Sequence, residues 1–189
     1  MEKTVYILGK GDGWDAIEEA PKDSIIYGVN DACLRTPEVT HTFHMHDLYE
    51  YGKAKVTESS TRLLKRHCEL HPEMELYSIK HYKDFPNCKI YPLDEVLEYF
   101  NLPIPYFTSG PEYMIAYAIM KENPDVLALY GLNMSVGKEY IDQKPGVEFW
   151  IGLALGKGIK VLLQHEHTSI MKTRDSKLYG YFMKQWRIY

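Results

Sequence analysis

The chain has 189 residues, 45% of them hydrophobic, and a formal net charge of -4. That is enough for one sizeable core but not for two full domains, so a single domain over residues 1–189 is expected, and without a basic excess sequence-independent coating of nucleic acid is excluded. No apolar run approaches the ~18 residues of a membrane span, and the start MEKTVYILGKGDGWD lacks the apolar core and cleavage site of a signal peptide, so the expectation is a soluble, cytoplasmic protein.

Thr4–Leu8 (TVYIL) is a short β-rich run that stops at Gly9-Lys10-Gly11-Asp12-Gly13, the punctuation of a strand entering a turn, after which a helix is expected to start. Residues 24–28 (SIIYG) repeat the pattern and break at Val29-Asn30-Asp31. A third, more polar strand, 40–45 (THTFHM), ends at His46-Asp47. Residues 57–70 read as a helix, with Leu63, Leu64 and Cys68 near i, i+4 spacing, and 74–79 as a fourth strand. From 83 to 105 the chain is rich in Pro, Asn and Tyr around a short acidic helix, Leu93–Phe100, and is read as a lid or insertion.

The second half alternates more plainly: helix at 109–121, apolar strand at 125–130 (DVLALY), helix at 145–156 and strand at 159–163. Continuous apolar strands alternating with helices predict a doubly wound, mostly parallel α/β sheet covered on both faces, Rossmann-like in architecture. The 145–156 helix carries Val147, Phe149, Trp150, Ile151, Leu153 and Leu155 and is expected to be largely buried. Sixteen tyrosines beside six Phe and three Trp suit either a stacking surface or an aromatic-rich core. Cys33, Cys68 and Cys88, odd in number and widely spaced, read as reduced thiols.

In such a sheet ligands bind at the carboxyl ends of the strands. The segments just past the strands are polar or glycine-rich: the 9–13 loop, Asn30 and Asp31, His46 and Asp47, Asn133, and His165-Glu166-His167. The GKGDG turn could offer N–H groups to phosphate, yet it is neither a complete G-x-G-x-x-G nor a P-loop, and a tight turn explains its glycines equally well. Ser109 with Glu112 three residues on reads as a capping box, and with Thr108 and Gly110 it makes a helix start suited to an anion. His44 and His46 share a strand face and with Asp47 could hold a divalent ion. A hydrogen bond from His46 to a ligand is the preferred reading, and no metal is required.

Several blocks carry a family resemblance: Ile7-Leu8-Gly9-Lys10-Gly11, Tyr27-Gly28-Val29-Asn30-Asp31, Phe43-His44-Met45-His46-Asp47, Tyr106-Phe107-Thr108-Ser109-Gly110, Leu129-Tyr130-Gly131-Leu132-Asn133-Met134 and Glu139-Tyr140-Ile141-Asp142-Gln143-Lys144-Pro145. In this order they resemble a family of small bacteriophage proteins of unassigned function. More remotely they are similar to Rossmann-like bacterial sialyltransferases that use CMP-sialic acid and to archaeal pterin diphosphokinase-like proteins. The resemblance implies a nucleotide or diphosphate at the rim, with the first glycine loop under the phosphates, Asn30 at ribose or phosphate, and Ser109 and Gly110 at the helix start. Lys10 stands where the sialyltransferases have Asn. Gln143 stands near the place of their catalytic histidine and cannot act as a base. Asn133 replaces an acid often present in the phage pattern.

The candidate nucleotide-binding set is therefore Gly9, Lys10, Gly11, Asn30, Asp31, Thr108, Ser109, Gly110, Asn133 and Gln143. Three functions compete. One is a transferase using an activated nucleotide donor such as a nucleotide sugar, with His46 or Asp142 as base and Tyr140 donating to the leaving phosphate. Another is a non-catalytic protein that sequesters a host nucleotide. The last is modification of phage DNA bases, disfavoured by the acidic charge because nucleic acid is an unfavourable partner. The aromatic tail, 178–189 (LYGYFMKQWRIY), predicts a homo-oligomer contact.

Overall fold

The described residues form seven strands: β1 (Thr4–Leu8), β2 (Ile25–Val29), β3 (His41–His44), β4 (Glu75–Ser78), β5 (Cys88–Ile90), β6 (Val126–Tyr130) and β7 (Lys160–Leu163). This is a computed structural model, and it describes residues 2–49 and 58–172. Every pairing is parallel, in the order β5-β4-β3-β2-β1-β6-β7. The chain thus builds outward from β1 to β5, then crosses to the other side of β1 for β6 and β7. All carboxyl ends fall on one edge, and the direction of winding reverses between β1 and β6.

Alternation along β1 shows how both faces are covered. Val5 and Ile7 enter the core shared with α2 (Leu93–Phe100), α3 (Gly110–Tyr117) and α4 (Lys144–Gly156), while Leu8 enters the core shared with α1 (Glu58–Leu70). The sheet is doubly wound and wholly parallel. Among the described residues no helix is long and apolar enough to cross a membrane.

Several local expectations change. The turn after Gly13 leads into a 3-10 segment, Trp14–Glu19, in place of an α-helix. The predicted 109–121 helix is α3 prolonged by a π turn, Ala118–Glu122, with Ser109 at the cap position. The 83–105 stretch contributes an edge strand, β5, whose Lys89 and Ile90 are exposed and so leave no apolar alternation to read. Helix α4 buries Val147, Trp150, Ile151 and Ala154, but Phe149 and Leu155 remain 39% and 45% exposed. The sheet covers only one side of α4, so its apolar outer side is not enclosed by the described residues.

Among the described residues Tyr27, Tyr77, Tyr82, Tyr91 and Tyr117 are buried in the core. Tyr27 and Tyr77 flank Phe43 with ring centroids 5.0 and 5.1 Å away. Their polar tips are satisfied: Tyr27 donates to Glu122 at 3.1 Å, Tyr77 to Glu75 at 2.6 Å, and the hydroxyls of Tyr77 and Tyr117 are 2.5 Å apart. The three cysteines are buried and free. The aromatic segment 178–189 lies outside the described residues.

Candidate functional site

The carboxyl edge opens into a cleft of ≈ 440 Å³ beyond the ends of β1, β2 and β6. It is lined by Gly9, Lys10 and Gly11 after β1, by Val29 and Asn30 at the end of β2, and by His46 after β3. Thr108, Ser109, Gly110 and Pro111 at the start of α3 continue the wall, which Gly131 to Met134, Glu139 and Gln143 complete. Nine of the ten sequence-predicted binding residues therefore border one cavity; the tenth, Asp31, reaches it through Lys10. Asn30 and Met134 hold left-handed backbone at φ 53° and 48°. That conformation is uncommon for a residue with a side chain.

Two N–H groups of the glycine loop are bonded within the protein. The Gly9 N–H donates to the Tyr130 carbonyl and the Gly11 N–H to the Gly131 carbonyl, both at 2.8 Å. Neither donor is left for a ligand. A Cβ on Gly9 would lie 2.1 Å from the Gly131 oxygen, and one on Gly11 would lie 1.7 Å from Asn133 Oδ1. Glycine is required here because two loops touch, with neither residue at positive φ. Gln164, unremarked in the sequence, braces the same crossing: it accepts from the Gly131 N–H at 3.1 Å and donates to the Gly13 carbonyl at 2.8 Å.

Lys10 projects from this loop and its ammonium lies 2.6 Å from Asp31. Burial would raise the Asp31 carboxyl, yet the hydrogen bond and charge of Lys10 hold it below the usual aspartate range. Arg35 donates to the Lys10 carbonyl at 2.7 Å and stacks on Trp14, fixing the loop from outside.

At the start of α3 the capping box is displaced by one residue. Glu112, fully buried, accepts from the Thr108 N–H, from the Thr108 hydroxyl at 2.7 Å and from the Ser109 hydroxyl at 2.9 Å. Ser109 occupies the cap position without bonding a helix N–H, because its hydroxyl is turned to the carboxylate. Burial pushes the Glu112 carboxyl above the usual glutamate value, and the hydrogen bonds from Thr108 and Ser109 offset part of that rise.

His46 follows β3 with its ring 6.1 Å from that of His44. Burial lowers the pKa of both imidazoles, which favours their neutral forms near pH 7. A neutral His46 at a cleft can accept a proton or a hydrogen bond. Asp47 is engaged by Lys80 and by the Tyr49 N–H at 3.0 Å, so it does not complete a ligand set with the two histidines. Among the described residues no group of three His, Cys, Asp or Glu side chains could hold a metal ion.

Tyr140 and Asp142 do not line the cleft. Both are exposed on the π turn Glu139–Gln143, where Tyr140 lies under the Lys144 ammonium, 4.7 Å from its ring centre. Glu139 and Gln143, four apart and so on nearly the same side of the turn, face the cavity instead. Glu139 was missed in the sequence although that spacing pairs it with Gln143. His165, Glu166 and His167 also lie away from the lining.

No family model and no curated protein matches the sequence. The chain is similar to solved structures at low sequence identity. The sialyltransferase CstII from Campylobacter jejuni, in complex with a substrate analogue, cytidine-5'-monophosphate, is 16% identical with a TM-score of 0.52, covering 94% of this chain and 88% of that one. Thiamine pyrophosphokinase from Bacillus subtilis is 17% identical with a TM-score of 0.47 over 85% of this chain. The chain spans 60% of the length of that pyrophosphokinase. The sheet order and the likeness to CstII define the class: a Rossmann-like α/β protein.

Proposed function

We propose that this chain is a nucleotide-using transferase that draws on an activated donor such as a nucleotide sugar. The observation that carries the reading is the convergence of Lys10, Asn30, His46, Ser109, Asn133 and Gln143, from six separate segments, on one cleft at the point where the winding reverses. The fold neighbour CstII, whose structure holds cytidine-5'-monophosphate, supports a nucleotide as ligand. In this reading the side-chain amides of Asn30, Asn133 and Gln143 and the Lys10 ammonium hold the donor. Neutral His46 accepts the proton of the acceptor hydroxyl as its oxygen bonds to the transferred group, and the bond from that group to the nucleotide phosphate breaks, the nucleotide leaving with the electron pair on its phosphate oxygen. On the 139–143 turn it is Glu139, and not the expected Asp142 or Tyr140, that borders the cleft. The setting of this reading is the cytoplasm of a phage-infected cell, and its assembly a homo-oligomer through 178–189.

A second reading, a non-catalytic protein that sequesters a nucleotide, is favoured by Gln143 and by the position of Tyr140 and Asp142 outside the cleft. His46→Ala separates the two. If His46 is the base, turnover of a radiolabelled nucleotide sugar is lost while donor binding persists. The wild-type rate should also fall on acidification below a pKa lower than the usual histidine value, because the base works only unprotonated. If His46 is only a contact, affinity falls and no turnover is found in either protein.

A further inference from the structure

A buried carboxylate fixes the hydrogen-bond sense of the cleft wall at the start of α3. Glu112 is fully buried, and three donors converge on it: the Thr108 N–H, the Thr108 hydroxyl at 2.7 Å and the Ser109 hydroxyl at 2.9 Å. That set suits an ionised carboxylate, which only accepts. Helix α4 closes over it, since a Cβ on Gly146 would lie 2.4 Å from Glu112 Oε1 and 2.7 Å from Thr108 Oγ1. This packing leaves the carboxylate little room to turn away from the two hydroxyls.

A hydroxyl carries one proton and two acceptor sites. Ser109 and Thr108 both border the cleft. With its proton committed to Glu112, Ser109 offers the cleft only lone pairs, and its side chain caps no N–H of the first turn of α3. A phosphate oxygen is itself an acceptor and gains nothing from such a group, whereas an N–H or O–H of a ligand does.

Resting on the nucleotide-using reading, we infer that Glu112 is a positioning residue that makes Ser109 a hydrogen-bond acceptor, through which the cleft selects a donor on the nucleoside part of its ligand, a ribose hydroxyl or the exocyclic amine of the base. Phosphate is met by other groups of the lining, Lys10 among them. The selection is one of polarity, and neither Glu112 nor Ser109 takes part in bond making.

The test is titration calorimetry of the full chain at mildly alkaline pH, which keeps the carboxyl ionised. Ribonucleoside 5'-monophosphates identify the best-bound nucleoside. Its 2'-deoxy and 3'-deoxy forms, and the analogue lacking the exocyclic amine where the base carries one, then separate the two sources of the donor. At least one analogue is expected to bind wild type about tenfold more weakly than its parent. In Ser109→Ala that ratio should approach one, because the acceptor is gone. In Glu112→Gln it should also fall: the amide oxygen takes the Thr108 N–H, and the amide N–H groups, turned to the hydroxyls, release the Ser109 proton toward the cleft. Circular dichroism verifies that each variant is folded, and should Glu112→Gln not fold, Ser109→Ala decides. A purely structural Glu112 would instead weaken parent and analogue in equal proportion. That result in either variant, or analogues that all bind wild type as tightly as their parent, overturns the inference while the nucleotide reading stands. Binding of none of the ribonucleotides by folded wild-type protein overturns that reading, and this inference with it.

Discussion

Lys10 enters the cleft with its charge already answered by Asp31, and this sets the size of its effect. Replacing Lys10 by Ala should cost a nucleoside monophosphate about 1 kcal/mol of affinity, and the bare nucleoside less, because the ammonium meets phosphate and not the base. Comparing the two ligands by calorimetry checks this; equal losses would place Lys10 away from the phosphate. Glu112 makes a different prediction. Its folded pKa is raised, so the stability it contributes is fully present below the unfolded value and is lost as pH rises through the folded one. The stability of wild type relative to Glu112→Gln should therefore fall as pH rises above the ordinary glutamate value of 4.5, read as denaturant midpoints against pH. A constant difference would mean that the carboxyl titrates normally. The S-x-x-E spacing revealed that Ser109 and Glu112 interact. That the carboxyl is buried and turned to Thr108 was not legible, because burial depends on α4 packing across it.

At the scale of elements, the turn after β1 and the loop after β6 behave as one unit. The Gly9 obstacle is backbone, the Gly131 carbonyl, whereas the nearest obstacle to a Cβ on Gly11 is a side chain, Asn133. Gly9→Ala and Gly11→Ala should each destabilise by about 1–3 kcal/mol as forced overpacking. Asn133→Ala should restore much of the loss in Gly11→Ala and none in Gly9→Ala, measured as a double-mutant cycle by chemical denaturation. Strict additivity for the Gly11 pair would show that the loops can separate freely. The same contact accounts for two glycines of GKGDG in a way the motif could not show: glycine-rich turns that cradle phosphate and those that admit a neighbouring loop share a composition.

For the whole molecule, the prediction concerns assembly. The chain leaves the described region beside α4, where the Met171 N–H donates to Glu148 at 2.6 Å. The apolar residues of 178–189 come next, and they predict a homo-oligomer that dissociates when this segment is deleted. Sedimentation at micromolar concentration compares the two chains. A full-length monomer would sink the expectation.

The sequence by itself determined the part of the structure carried by local periodicity and punctuation. The apolar runs of β1 and β6, the helices at 109–121 and 145–156, and the polar residues after the strands are properties of neighbouring residues, and a parallel sheet gathers all its strand ends on one edge. Hence Lys10, Asn30, His46, Ser109 and Gln143 could be placed together in advance. Tertiary structure alone decided three further matters: which donors were already taken, which side of the 139–143 turn faced the cavity, and that β5 joined the sheet. The physical reason is that each depends on a partner distant in sequence. Gly131 lies across from Gly11, Asp31 from Lys10, and β4 beside β5, and no local pattern encodes which of two remote segments will satisfy a hydrogen bond or a charge.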